Sequence, residues 1–194
     1  MDSNWVIGVD EAGRGPVIGP LVVAALAIPL DDIEILSKLN VKDSKDISPN
    51  ERLSIFTEIN QRIEDEKWKS GLILCSPKRI DINSMTSDLN SLEIDLFSEA
   101  IFATDLSSDS GVIRADACDV NEDRFRNRLQ SSLGEDWRNW RINAEHGMDS
   151  KDLVTGGASI IAKVSRDSAI EEIAARTGIE IGSGYPSDKT TRSA

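Results

Sequence analysis

The sequence is poor in residues that staple, coordinate or shuttle protons. It has two cysteines and one histidine in 194 residues. Cys75 and Cys118 do not make a disulfide framework, and their spacing is not that of a zinc site. A reducing, intracellular setting fits this usage, and a cytoplasmic location is expected. His146, standing alone, reads first as a hydrogen-bonded structural residue. The chain opens Met1-Asp2-Ser3-Asn4, without a basic start and apolar stretch, so no secretory signal is expected. Long hydrophobic runs are also lacking: the longest, Leu21 to Leu30, is too short to span a bilayer.

Positive charge is the other shortage. Lysine and arginine number 22 against 34 aspartates and glutamates, a net charge of −12. Taken alone, that opposes binding to phosphate backbones. Two readings follow. The acids form a solvated surface, or some of them cluster to hold divalent cations that then meet a phosphate. Both can hold, for different residues.

What is present suffices for one globular domain. Hydrophobic residues make up 39% and charged residues 29% of the chain, enough apolar material for a core. Trp5 to Asp10 predicts a buried strand ending in a carboxylate. Glu11-Ala12-Gly13-Arg14-Gly15-Pro16 is a breaker-rich turn. Leu21 to Ile28, closed by Pro29, predicts a second strand antiparallel to the first. Asp31 to Leu39 reads as a short helix or loop. Ser48, Pro49 and Glu51 carry a helix-start signal, with Leu53, Phe56, Ile59 and Ile63 at helical spacing. Gly71 to Cys75 is a third strand. Leu89, Leu92, Leu96 and Ala100 mark a helix ending near Leu106. Gly111 to Asp116 is a strand, Phe125 to Leu133 a short helix, and Trp140 to Ala144 the last strand. Val154 to Ala175 is the longest helix, ended by Gly178. The polar tail from Gly182 to Ala194 reads as a loop or frayed end. Strands alternating with helices after a hairpin predict an α/β domain with a mixed sheet covered by helices.

The chemistry-bearing candidates are acids at strand and loop ends: Asp10, Glu11, Asp116 and Asp149. Hard divalent cations choose such oxygen ligands, and a pair of them supports phosphodiester cleavage. Each acid also has a bland reading as a turn, cap or surface residue. Asp10 and Glu11 are strand neighbours that point to opposite faces, so both act at one site only if the strand ends there. Asp119 fits a helix cap near Asn121.

Five blocks, in order, resemble those of type 2 ribonucleases H. The first is Ile7-Gly8-Val9-Asp10-Glu11-Ala12-Gly13-Arg14-Gly15-Pro16-Val17-Ile18-Gly19-Pro20-Leu21-Val22. Next come Val41-Lys42-Asp43-Ser44-Lys45 and Ala115-Asp116-Ala117-Cys118-Asp119. The last two are Gly157-Ala158-Ser159-Ile160-Ile161-Ala162-Lys163-Val164-Ser165-Arg166-Asp167 and Gly182-Ser183-Gly184-Tyr185-Pro186-Ser187-Asp188. The last block is closest to the archaeal and eukaryotic branch.

The resemblance implies a ribonuclease H-like fold. It also implies an endonuclease that hydrolyses the RNA strand of RNA/DNA hybrids and cuts 5′ to ribonucleotides in duplex DNA. Two-metal catalysis with Mg²⁺ or Mn²⁺ would leave 3′-hydroxyl and 5′-phosphate ends. Asp10, Glu11, Asp116 and Asp149 are implied as the catalytic, metal-binding acids. Gly13, Arg14 and Gly15 would read the ribose 2′-OH, the group that separates RNA from DNA. Tyr185 would stack on the junction sugar, and Ser44, Lys45, Ser159 and Lys163 would lie near phosphates. Residues 1–181 form the implied catalytic domain and 182–194 a substrate-contacting tail. The chain stops soon after the tyrosine block, where many relatives continue into a further helical segment, so a truncated tail is expected. Lys151-Asp152-Leu153 replaces the aromatic-proline step of the archaeal branch. A monomer is expected, and no residue pattern assigns a sliding-clamp contact. The alternatives are a resolvase- or integrase-like nuclease of the same fold, a hybrid-binding module without catalysis, and an acidic interaction protein.

Overall fold

The computed structural model describes residues 4–41 and 47–194. Ser44 and Lys45 lie outside the described residues. Five strands form one sheet: β1 (Asn4–Ala12), β2 (Leu21–Pro29), β3 (Lys69–Cys75), β4 (Ser110–Asp116) and β5 (Trp140–Glu145). Their order is β3-β2-β1-β4-β5. β1, β2 and β3 are antiparallel neighbours, whereas β4 runs parallel to β1 and to β5. The sheet is therefore mixed, as expected, and the initial hairpin is present.

The helices are α1 (Ile33–Lys38), α2 (Pro49–Glu64), α3 (Pro77–Ser84), α4 (Leu89–Phe102), α5 (Glu122–Leu133), α6 (Met148–Lys151), α7 (Leu153–Thr177) and α8 (Lys189–Ser193). The start of α2 follows its sequence signal. Ser48 accepts from the Glu51 amide, and Glu51 accepts from the Ser48 amide at 2.9 Å. Gly178 ends α7 in the left-handed conformation, at φ 69°.

Several details depart from the sequence reading. α4 stops at Phe102, short of Leu106. The inward face of α2 carries Arg52, Ile55 and Ile59, and Leu53 is exposed. α3 and α6 were not anticipated. α3 begins with the same Ser-Pro signal as α2, with Ser76 capping. The tail begins as the expected loop, over residues 182–188, but is not frayed. It contains α8, capped by Asp188, and buries Thr191.

Both faces of the sheet are covered. On one, Ile7, Val9, Val23 and Ala115 pack with Leu96 and Phe97 of α4 and Phe125 and Leu129 of α5. On the other, Val6, Val22, Leu26 and Ile28 pack with Ile55 and Ile59 of α2 and Val154, Ala158 and Ile161 of α7. The period-two alternation of β1 sends Ile7 and Val9 one way and Val6 the other.

The crossing of α7 over β1 is very close. A Cβ on Gly8 would sit 2.3 Å from the Val154 carbonyl carbon and the Thr155 nitrogen. Only glycine permits that approach. It sets the start of α7 directly over the strand that carries Asp10. Gly8→Ala should cost about 1–3 kcal/mol of stability, as overpacking does, measured by urea denaturation. Unchanged stability would contradict the close crossing.

Candidate active site

The sheet parts where β1 and β4 run out of shared register. Their parallel pairing extends to Val9 opposite Ala115 and stops. β1 nonetheless stays paired with β2 through Ala12, and β4 stays paired with β5 through Asp116 and Glu145. Asp10 and Asp116 are the first residues past the parting. Clefts outside the carboxyl ends of parallel strands are where α/β sheets bind ligands.

The strand therefore does not end at Glu11, as both acids seemed to require. Pairing on one side ends instead, and the two side chains keep to opposite faces. Asp10 lies on the α7 side, where the Ser159 hydroxyl hydrogen-bonds to it. Glu11 lies on the α4 and α5 side, where Cys118 Sγ donates to its Oε2 at 3.3 Å. Both line one cleft of about 260 Å³, together with Asp116, Asp149, Lys163 and Tyr185.

Asp10, Asp116 and Asp149 each offer a carboxylate oxygen within 4.8 Å of the others. Asp149 comes from the unanticipated α6, whose placement has local causes. The Met148 amide donates to Asp116 Oδ1 at 3.2 Å. Asp152, the cap of α7, is ion-paired with Arg114 of β4. The Lys-Asp-Leu step thus supplies a cap and a tie to the sheet.

Burial first, and the neighbouring Glu11 and Asp116 next, push the Asp10 carboxyl well above its ordinary range. Glu11 is raised in the same way, by burial and then by Asp116. Crowded, desolvated carboxylates of this kind fit a hard divalent cation through oxygen donors.

The surrounding groups are tied down. Gly13 has φ 98°, and a Cβ there would meet Arg166 Nε at 2.6 Å. Arg166 of α7 is buried and donates to the Ser183 carbonyl at 3.1 Å and the Ile18 carbonyl at 3.2 Å. Its guanidinium lies 4.9 Å from the centre of the Tyr185 ring. The Gly184 carbonyl accepts from the amides of Val17 and Ile18. Arg166 thus joins the glycine-rich turn, the tail and Tyr185. Ser159, expected near a phosphate, hydrogen-bonds to Asp10, while Lys163 reaches the cleft one helical turn later.

Other expectations resolve locally. His146 Nδ1 contacts the Ala117 carbonyl at 3.0 Å, a structural position. Asp119 ion-pairs with Arg124 and accepts from the Asn121 amide, while Asn121 itself caps α5. The sequence reading missed Glu93 of α4. Its side chain is fully buried and pairs with Arg14 at 2.8 Å. The available signal was its position in the helical repeat, four residues after Leu89 and three before Leu96.

These groups give the metal-free protein a distinctive pH response. Asp10 and Glu11 are raised, and burial raises Glu93 from 4.5 to about 8. A raised carboxyl binds its proton more tightly folded than unfolded. Its stabilising contribution is complete below the unfolded value and is lost as pH rises through the folded value. Asp119, lowered to about 2 by Arg124, acts oppositely, but only as pH falls below about 4. In chelator, the melting temperature should decline from about pH 5 to about pH 8, as read by scanning fluorimetry. A rise over that range would contradict the assignment.

A family model described as Ribonuclease HII matches residues 7–194. A ribonuclease HII of Pyrococcus furiosus is 42% identical over 185 residues, covering 95% of this chain and 77% of its own. The structure of the PCNA:RNase HII complex from Archaeoglobus fulgidus matches with a TM-score of 0.83 at 34% identity. It covers 97% of this chain and 85% of that one. Ribonuclease H2 from Pyrococcus horikoshii OT3 matches with a TM-score of 0.81 at 37% identity, over 97% and 84% of the two chains. This likeness displaces the integrase-like, non-catalytic and acidic-interaction alternatives. The chain belongs to the ribonuclease HII family, in its archaeal-like branch, and is a ribonuclease H with the ribonuclease H-like fold.

Proposed function

We propose that this ribonuclease H cuts the phosphodiester 5′ to a ribonucleotide, in RNA/DNA hybrids and at single ribonucleotides within duplex DNA. The observation that carries the reading is the meeting of Asp10, Asp116 and Asp149 within 4.8 Å where the sheet parts. In this proposal these three acids, with Glu11 beside them, hold Mg²⁺ or Mn²⁺. Two such ions, when bound, activate water and stabilise the leaving 3′-oxygen, giving 3′-hydroxyl and 5′-phosphate ends.

The chain's own residues orient the substrate. Amides of the Gly13-Arg14-Gly15 turn meet the ribose 2′-OH, for which glycine leaves close backbone access. Gly15 supports this role, since a Cβ there would meet nothing within 4 Å. Tyr185 takes the sugar on the far side of the scissile bond and excludes a 2′-OH there. Its ring is backed by Arg166 and remains partly exposed to the cleft. Lys163 offers charge to a phosphate, and Ser159 orients Asp10. Residues 1–181 act as the catalytic unit, and the tail from 182 completes the cleft through Gly184 and Tyr185. A sliding-clamp contact is a further part of the proposal, supported by the likeness to the chain in the PCNA complex.

The test is a duplex carrying one ribonucleotide, incubated with Mg²⁺ or Mn²⁺. Wild-type protein should cut it 5′ to the ribonucleotide and leave the all-DNA duplex intact. Asp10→Asn should lower the rate by on the order of a thousandfold. No cutting with either ion, or a wild-type rate for Asp10→Asn, would overturn the reading.

A further inference from the structure

Arg14 is held from a helix that supplies nothing to the acid cluster. Its Nε lies 2.8 Å from Glu93 Oε1, and its Nη2 donates to Asn90 Oδ1 at 2.9 Å. Asn90 and Glu93 are three residues apart on α4 and so share a face. The hydrogen bond at Nη2 and the ion pair at Nε restrain the guanidinium at two points, which a lysine could not reproduce.

The burial of Glu93 is poorly explained by stability. Its side chain has no solvent exposure, whereas Arg14 is 41% exposed. Burial of this kind drives the carboxyl up to about 8 despite the arginine. Replacing a buried ionic group by a well-packed apolar one is often neutral or stabilising. A glutamate at this buried position therefore points to something other than cohesion.

The turn it touches is otherwise held on its far side. Arg166 of α7 packs against Gly13 and binds the Ile18 carbonyl, and Gly184 of the tail binds Val17 and Ile18. Among the described residues, the side-chain hydrogen bond and ion pair that reach the turn from α4 are those of Arg14. We propose that Glu93, with Asn90, is a positioning residue that fixes Arg14 and, through it, the placement of the Gly13-Arg14-Gly15 backbone in the cleft. This rests on the reading of that turn as the part that meets the ribose 2′-OH. The α4 tether then sets how well a ribose is registered against the acids, of which Glu11 also feels the charges of Arg14 and Glu93.

The experiment pairs backbone order parameters with cleavage. Glu93→Leu and Arg14→Ala should each lower the ¹⁵N order parameters of Gly13–Gly15 below about 0.6, with those of the β1 core unchanged. Glu93→Gln keeps the shape and a polar atom beside Arg14 and should fall between wild type and Glu93→Leu. Asn90→Ala should give an intermediate result. On the single-ribonucleotide duplex, Glu93→Leu should lower kcat/KM by about 10- to 100-fold. Combining it with Arg14→Ala should add no further loss, because both act through one contact. Unchanged order parameters in both Glu93→Leu and Asn90→Ala would overturn the proposal. So would losses that add in the double variant. If wild-type protein cuts nothing, the proposed activity fails, and the order parameters still decide the role of Glu93.

Discussion

The structure turns on repulsion among carboxylates that the fold does not allow to separate. Asp10 and Asp116 stand on neighbouring parallel strands, one residue past their last shared pair. Asp149 is delivered beside them from α6. In water these groups would spread and ionise freely. Here burial and mutual charge favour protons or cations, and the carboxyl of Asp10 is pushed well upward. The rest of the sheet and its two apolar faces supply the cohesion that tolerates this crowding.

Two devices shape the cleft beside the crowded acids. The first is the approach of α7 to β1 at Gly8, which brings Ser159 onto Asp10 and Lys163 to the cleft. The second is Arg166, buried between the glycine-rich turn and the tail, with Tyr185 packed on its guanidinium. Together they make a cleft whose walls come from distant parts of the chain. The acidic surplus of the protein is consistent with this arrangement. In the proposed function an anionic substrate would be met locally by Lys163 and the cations that the acids would hold, while other acids are ion-paired, as Asp119 is with Arg124.

Much of the fold was legible because it obeys local rules. Short apolar runs bounded by breakers or carboxylates marked the five strands. Ser48, Pro49 and Glu51 marked α2, and Gly178 marked the end of α7. The errors arose where tertiary packing decides. Leu53 has the right spacing for α2 but is exposed and Ile55 is inward instead, while Phe56, Ile59 and Ile63 pack against the core as expected. The tail is polar throughout, yet docks through carbonyl, hydroxyl and capping contacts that no periodicity records. Among the acids, strand and loop ends singled out Asp10, Glu11, Asp116 and Asp149, and the family resemblance supplied the metal-binding role expected of all four. α6, which carries Asp149, is too short to announce itself. The opposite facing of Asp10 and Glu11 followed from strand geometry, but the parting of β1 from β4 could not be read from one strand. Glu93 stayed hidden because a glutamate on an apolar helix face reads as an interruption until its partner is known.

The central claim is that the parted sheet end is a cation site built from three convergent acids. Anomalous diffraction from crystals soaked in Mn²⁺ tests it most directly. The account predicts a peak within about 2–2.3 Å of carboxylate oxygens of Asp10, Asp116 and Asp149. No peak there at saturating Mn²⁺, or peaks only at surface acids, would contradict it.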